Sequence, residues 1–232
     1  MPAKKIQKVI LTKNFHEYAA WAQNGYVCGL DEVGRGCLAG PLVTAAVILK
    51  PNKTHKLLKD SKVLTQEERL KAAKWIAKNA WFSYGIVHHR IIDQHNIWQA
   101  NLIAMKKAFI NVMAVAPGRP MAIVVDAMPL SVLDTSFSDI PVHFFPKGER
   151  RSVSIAAASI MAKVMRDHMM TQLAPILPGY GLEQHKGYST SQHMAAVKNL
   201  KPSIIHRTTF LKKLLTPAFT DCQTHEEQQS LC

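Results

Sequence analysis

The chain is poor in the residues that would place it in several common classes. Only four of its 232 residues are cysteine. Cys28, Cys37, Cys222 and Cys232 form no C-x-x-C pair and keep no zinc-ligand spacing to histidine, which argues against a zinc site. Acids are scarce, 16 Asp and Glu against 29 Lys and Arg, for a formal net charge of +13. That excess favours a polyanionic partner, although charge by itself selects no chemistry. No apolar run approaches the ~20 residues that cross a bilayer. Lys4, Lys5 and Lys8 precede only Val9-Ile10-Leu11, too short for a signal-peptide core. A reduced, cytoplasmic protein with no membrane partner is the expectation. Internal repeats and low-complexity segments are also missing. At 47% hydrophobic, the chain can bury one full core with a small helical appendage.

What is present is organised around Tyr26 to Leu49, YVCGLDEVGRGCLAGPLVTAAVIL. A strand ends on two adjacent carboxylates, Asp31 and Glu32. Gly34-Arg35-Gly36 and Gly40-Pro41 follow, and then an apolar run from Val43 to Leu49. Two apolar runs flanking a glycine-rich segment predict an antiparallel pair. Neighbours on a regular strand face opposite sides, so Asp31 and Glu32 share a site only at the strand's end or through a bulge. Further on, Thr65 and Glu68 make a capping box for a helix with Leu70, Ala73, Ile76 and Ala77 as its apolar stripe. Trp81 to His89 alternates as a strand, and a second helix is expected over about Asn96 to Val112. Met121 to Val125 is a buried strand ending at Asp126, and Val142 to Phe145 is another. Lys147-Gly148-Glu149 leads into the longest helix, about Ser152 to Leu173. A hairpin followed by alternating helix and strand predicts an α/β protein, a mixed sheet with helices on both faces. Residues 1–25 read as an extension packed beside the domain, 26–190 as the main domain, 191–215 as a C-terminal helical region, and 216–232 as a polar, disordered tail.

The segment around Asp31 closely resembles the first signature of bacterial ribonuclease HII, the type 2 ribonuclease H family. The resemblance continues through LKDSKVLT (57–64), NIWQANLIAMKKA (96–108), IVVDAM (123–128), KGERRSVSIAAASIMAKVMRD (147–167), YGLEQHKGYST (180–190) and IIHRTTF (204–210). It implies the ribonuclease H-like fold, with a mixed five-stranded sheet flanked by helices and a small C-terminal helical region. It also implies a metal-dependent endonuclease that acts on RNA/DNA hybrids and on duplex DNA carrying single ribonucleotides. Such an enzyme cuts 5′ of the ribonucleotide and leaves 3′-hydroxyl and 5′-phosphate ends, serving ribonucleotide removal and primer processing.

Phosphodiester hydrolysis needs an activated water, relief of negative charge at phosphorus and an exit for the leaving oxygen. Two divalent cations can supply all three, and Mg²⁺ or Mn²⁺ would take oxygen ligands. Asp31, Glu32 and Asp126 are the candidate ligands on the sheet. For a fourth acid the chain offers Glu149 and Asp167. By position in the family pattern the role falls to Glu149, where the family usually has Asp. Asp167 lies far down the long helix and reads as structural, paired with a neighbouring base. The resemblance further implies that the backbone of Gly34, Arg35 and Gly36 senses the ribose 2′-hydroxyl and that Tyr188 stacks on the sugar at the junction. Lys62, Lys186 and Arg207 match family positions as clamps on the nucleic-acid backbone. His185, His193 and His206 read as phosphate contacts or satisfied surface groups. A monomer is expected, and a polymerase clamp is a partner for which the sequence offers no support. Two other readings stay open here: a non-catalytic hybrid-binding protein, favoured only by Glu149, and a metal-free histidine ribonuclease.

Overall fold

The computed structural model describes residues 12–215, so the start of the expected extension and the 216–232 tail lie outside the described residues. Five strands form one sheet in the order β3-β2-β1-β4-β5. These are β1 (Val27–Val33), β2 (Leu42–Leu49), β3 (Ala80–Val87), β4 (Ala122–Asp126) and β5 (Val142–Phe145). β1 runs antiparallel to β2, and β2 antiparallel to β3. β4 lies parallel to both β1 and β5. The two strands of the glycine-rich stretch are thus central, and both are buried along nearly their whole length.

Strand alternation sorts the core into two layers. Val43, Ala45, Val47 and Leu49 face α2 (Gln66–Asn79) and α4 (Val153–Leu173). Cys28, Leu30, Ala46 and Ile48 face α3 (His89–Met113). α4 comes so near β1 that a Cβ on Gly29 would lie 2.2 Å from the Ser154 carbonyl carbon; glycine is what permits the approach. Cys28 and Cys37 are free and buried, packing as small apolar groups.

The capping box at Thr65 is present, with the Glu68 amide donating to Thr65 Oγ1 at 3.2 Å and the Thr65 amide to Glu68 Oε2 at 2.9 Å. The stripe of α2 is rotated from expectation, however. Ala72, Ala73 and Ile76 are buried, whereas Leu70 and Ala77 face solvent. α3 begins seven residues before the expected start. Asn96 interrupts it with φ 66° and ψ 166°, and its Oδ1 accepts from the amides of Trp98 (2.9 Å) and Gln99 (3.1 Å). The expected start at Asn96 is therefore the cap of the second, regular stretch.

Of the first 25 residues, α1 (Phe15–Trp21) packs against the entry to α4. The Val153 amide donates to Asn14 Oδ1 (3.0 Å), and the Ser154 amide to Glu17 Oε1 (3.1 Å). The Ser152 hydroxyl donates to the same Glu17 oxygen. Glu17 is fully buried there, where a helix N-terminus favours negative charge. At the other end of the chain, α5 (Leu182–His185), α6 (Ser191–Leu200) and α7 (Thr208–Leu215) gather around Leu38, Met170, Tyr180, Leu182, Val197 and Leu211.

Candidate active site

The parallel ladder between β1 and β4 ends at the Leu30–Val125 pair, so Asp31 and Asp126 lie just beyond it. β1 meanwhile stays in register with β2, pairing Asp31 with Ala45 and Glu32 with Thr44 with no bulge between them. Of the two routes by which neighbouring acids could share a site, the chain uses the strand end. Asp31 points to the α4 side and Glu32 to the α3 side, yet both line one cleft of about 560 Å³. Asp126 and Glu149 line it as well, as do Gly34, Arg35, Asp60, Ser61, Lys62, Arg69, Ser159, Lys163 and Tyr188.

Asp31 is nearly buried, and its Oδ1 accepts from the Glu32 amide at 2.7 Å. Burial pushes its carboxyl well above the usual range, and the charges of Glu32 and Asp126 push the same way. Glu32 is also raised by burial, against the opposing pull of Arg35, whose Nη1 reaches Glu32 Oε1 at 3.3 Å. Glu32 Oε2 is buried without a partner. Asp126 Oδ1 accepts from the Gly148 amide at 2.8 Å, which draws the turn carrying Glu149 against the end of β4. Among the described residues, no three His, Cys, Asp or Glu side chains converge as a preformed metal-binding group. The donor set nonetheless fits a hard divalent cation: oxygen ligands alone, mutually repelling, with one oxygen orphaned.

Asp167 is elsewhere. It accepts from Lys163 Nζ at 2.8 Å and is absent from the cleft lining, whereas its partner Lys163 is in it. The ammonium of Lys163 lies 5.0 Å from the centre of the Tyr188 ring, with the Arg166 guanidinium 5.5 Å from that ring. Tyr188 is partly exposed, and its hydroxyl is pushed up to about 12 by partial burial and by Cys37 beside it. Lys62 is exposed on a loop held to the site by the Ser61–Ser159 hydroxyl contact (2.9 Å) and by Arg69, which donates to the Ser61 carbonyl (3.1 Å).

The glycine turn divides in two. Gly34 has φ +102°, and a Cβ there would lie 2.3 Å from Arg166 Nε, so the fold itself demands glycine. Gly36 is exposed with nothing within 4 Å of its Cβ direction.

Two expectations need correcting. Arg207 has no exposed surface and cannot grip a phosphate. It donates to the Gly40 carbonyl through Nε (3.3 Å) and Nη2 (3.0 Å), and to the Arg35 carbonyl through Nη1 (2.8 Å), bracing the glycine turn from behind. Lys186 is partly exposed outside the cleft lining, its ammonium donating to the Glu183 carbonyl. The histidines are neither phosphate contacts nor surface groups. The Ser203 amide donates to His206 Nδ1 (3.0 Å), which leaves the proton of the neutral ring on Nε2. That N–H donates to His193 Nε2 (3.1 Å), and His193 Nδ1–H donates to the Tyr188 carbonyl (2.9 Å). His185 stacks on His193 with ring centres 4.2 Å apart; it accepts from the Gly187 amide and donates to the Tyr180 carbonyl. All three rings are buried and committed, and among the described residues no histidine lines the cleft.

Sequence reasoning missed Ser159, Lys163, Arg69, Asp60 and Ser61 as cleft residues. For the first pair a signal existed: Ser159, Lys163 and Asp167 are spaced four apart and so share one helix face.

Comparison with known proteins agrees with this architecture. The family model for ribonuclease HII matches residues 28–213. A ribonuclease HII of Levilactobacillus brevis is 41% identical over 209 residues, covering 90% of this chain and 77% of that protein. One of Staphylococcus aureus (strain MRSA252) is 41% identical over 216 residues, covering 92% and 81%. Among solved structures, the ribonuclease H2 of Pyrococcus horikoshii OT3 shares the fold at TM-score 0.65 and 23% identity, covering 82% of this chain and 96% of that one. Bst-RNase HIII, solved in complex with Mn²⁺, aligns at TM-score 0.63 and 25% identity, covering 84% and 71%. The chain belongs to the ribonuclease HII family and is an endonuclease of the ribonuclease H class.

Proposed function

We propose that the enzyme hydrolyses the RNA strand of RNA/DNA hybrids and incises duplex DNA 5′ of single embedded ribonucleotides. The reaction depends on Mg²⁺ or Mn²⁺ and leaves 3′-hydroxyl and 5′-phosphate ends. The observation that carries this reading is the cleft itself. In a chain of net charge +13, five carboxylates, Asp60 among them, line one cavity, and Arg35 on Glu32 is their one ion pair among the described residues. The Mn²⁺ in the HIII neighbour supports the same reading.

Asp31, Glu32, Asp126 and Glu149 would hold two divalent cations. Bound there, such cations lower the pKa of a coordinated water and neutralise charge developing at phosphorus. The chain's own groups do the rest. Lys62, Lys163 and Arg69 line the cleft with positive charge and hold the polyanion against the acids. The exposed Gly36 leaves the turn's backbone open to a ribose, and Tyr188 presents its ring to the sugar beside it. Glu149 stands where the family usually has Asp, and its longer side chain reaches the cavity from the turn after β5. The reading places the enzyme in ribonucleotide removal and RNA primer processing. A PCNA complex is known for the Archaeoglobus fulgidus neighbour, which makes a sliding clamp a candidate partner for this chain too.

The test is a duplex DNA with one ribonucleotide and a continuous hybrid, each incubated with and without Mg²⁺ or Mn²⁺, with product ends mapped. Metal-dependent cleavage 5′ of the ribonucleotide is expected. Cyclic phosphate ends, or equal cutting in a chelator, would sink the proposal.

A further inference from the structure

On the α3 face of the sheet, two fully buried polar side chains interrupt an otherwise apolar seam. The buried stripe of α3 reads Ala100, Asn101, Ala104, Met105, Ala108 and Phe109. Opposite it, β2 presents Leu42, Thr44, Ala46 and Ile48, and Thr44 pairs across the ladder with Glu32. Asn101 and Thr44 are both fully buried. Neither amide atom of Asn101 completes a hydrogen bond, nor does Thr44 Oγ1 or Glu32 Oε2. Glu32 lies on this same α3 face beside Thr44, so the orphan atoms share one helix–sheet seam.

An unsatisfied amide in a dry helix–sheet seam is costly, and leucine would pack there without that cost. The four orphan atoms, however, make a matched set. The Thr44 hydroxyl can donate to Asn101 Oδ1, and Asn101 Nδ2 can donate to Glu32 Oε2. Arg35 holds the other oxygen, Oε1, at 3.3 Å. Glu32 would then be fixed from both sides at the point where β1 reaches the cleft. We propose that Asn101, backed by Thr44, is a positioning residue that aims the Glu32 carboxylate at the divalent metal. The inference rests on the reading of Glu32 as a metal ligand.

Partners that orient a ligating carboxylate typically contribute about tenfold to a hundredfold in metal affinity. The experiment is Mn²⁺ titration calorimetry of the full-length protein, with melting of the metal-free form measured beside it. It compares wild type with Asn101→Leu, Asn101→Ala, Thr44→Val and Glu32→Gln. Asn101→Leu is expected to weaken Mn²⁺ binding on the order of tenfold or more while leaving the metal-free melting temperature unchanged or raised. Thr44→Val should weaken binding by a smaller factor in the same direction. Should Asn101→Leu fail to fold, Asn101→Ala is read in its place. A folded Asn101 variant with wild-type Mn²⁺ affinity, whatever its stability, overturns the inference while Glu32→Gln still impairs binding. If Glu32→Gln binds Mn²⁺ like wild type, the metal reading fails and this inference fails with it.

Discussion

Two charged regions lie side by side in this molecule and are treated in opposite ways. The glycine turn is braced by two fully buried arginines. Arg166 donates to the carbonyls of Pro41 (2.9 Å), Lys186 (2.8 Å) and Ala39 (3.0 Å), and Arg207 to those of Gly40 and Arg35. The acid cluster a few residues away receives neither of them. Asp31 is left in a site that disfavours its own charge, and Glu32 Oε2 is left without a partner. Cations were available to the fold, and it spent them on backbone oxygens. The glycine turn is therefore finished by the protein, while the acid end is left unsatisfied. One half is preorganised by burial, and the other holds a repulsion among its acids.

Breaking the acid end should cost the most activity. Asp31→Asn and Asp126→Asn are each expected to lower turnover on the order of a thousandfold or more, given the several kcal/mol a metal site supplies to such a reaction. Hybrid binding should persist or tighten, because a charge repelling phosphate is gone. Glu149→Gln should lower turnover by less and shift the optimal metal concentration. Steady-state rates beside filter-binding affinities check this, and wild-type turnover in either Asp variant contradicts it.

Breaking the braced half should instead cost stability. Arg207→Met leaves two buried carbonyls without donors and should destabilise the fold by roughly 3 kcal/mol or more, read by denaturant unfolding. If that variant unfolds like wild type, the turn is not held from behind as described.

Acidification should separate the halves, because their groups shift in opposite directions. Burial lowers His206 from 6.5 to about 4, and His193 is lowered too. A lowered histidine contributes stability that is fully present above pH 6.5 and lost as pH falls from there toward about 4. For His206 the loss is roughly 3 kcal/mol across that window. A raised carboxyl such as Asp31 works the other way, destabilising the metal-free protein as pH rises above the ordinary Asp value. His206→Gln should flatten the acid limb of the melting-temperature profile. An unchanged slope would show that the buried imidazoles do not set it.

The smallest structural effect is expected at Gly36, and its neighbour Gly34 supplies the contrast. Gly34→Ala should destabilise, since its Cβ meets Arg166 and its φ is positive. Gly36→Ala should leave melting untouched, because its Cβ direction is empty, yet reduce cleavage at a single embedded ribonucleotide. Tyr188→Ala should impair that substrate more than a continuous hybrid. Equal loss on both substrates would remove the sugar-sensing role.

The contrast between the halves also marks what could be read without coordinates. Asp31, Glu32 and Asp126 were legible as cleft-lining residues because each lies at or near the end of an apolar strand, and that pattern is local. The bounds of β5 and the capping box at Thr65 were legible for the same reason. The bracing was not. Arg207 and the three histidines sit in stretches whose composition looks like a solvated basic surface, and only tertiary packing buries them. Glu17 was invisible because its partners, Ser152 and Ser154, lie 135 and 137 residues away. The rotated face of α2 shows a further limit. Alanine and leucine count alike in a periodic pattern, but in the structure α2 presents Ala72, Ala73 and Ile76 to the core and leaves Leu70 outside.

The measurement closest to the central claim is the melting temperature of the metal-free protein at neutral pH, with and without Mn²⁺, for wild type and Asp31→Asn. The account predicts that Mn²⁺ raises the wild-type value, because it relieves the buried repulsion and binds only the folded state. It also predicts that Asp31→Asn raises the metal-free value and loses most of the Mn²⁺ response. A wild-type protein indifferent to Mn²⁺, together with an Asp31→Asn variant less stable than its parent, would contradict it.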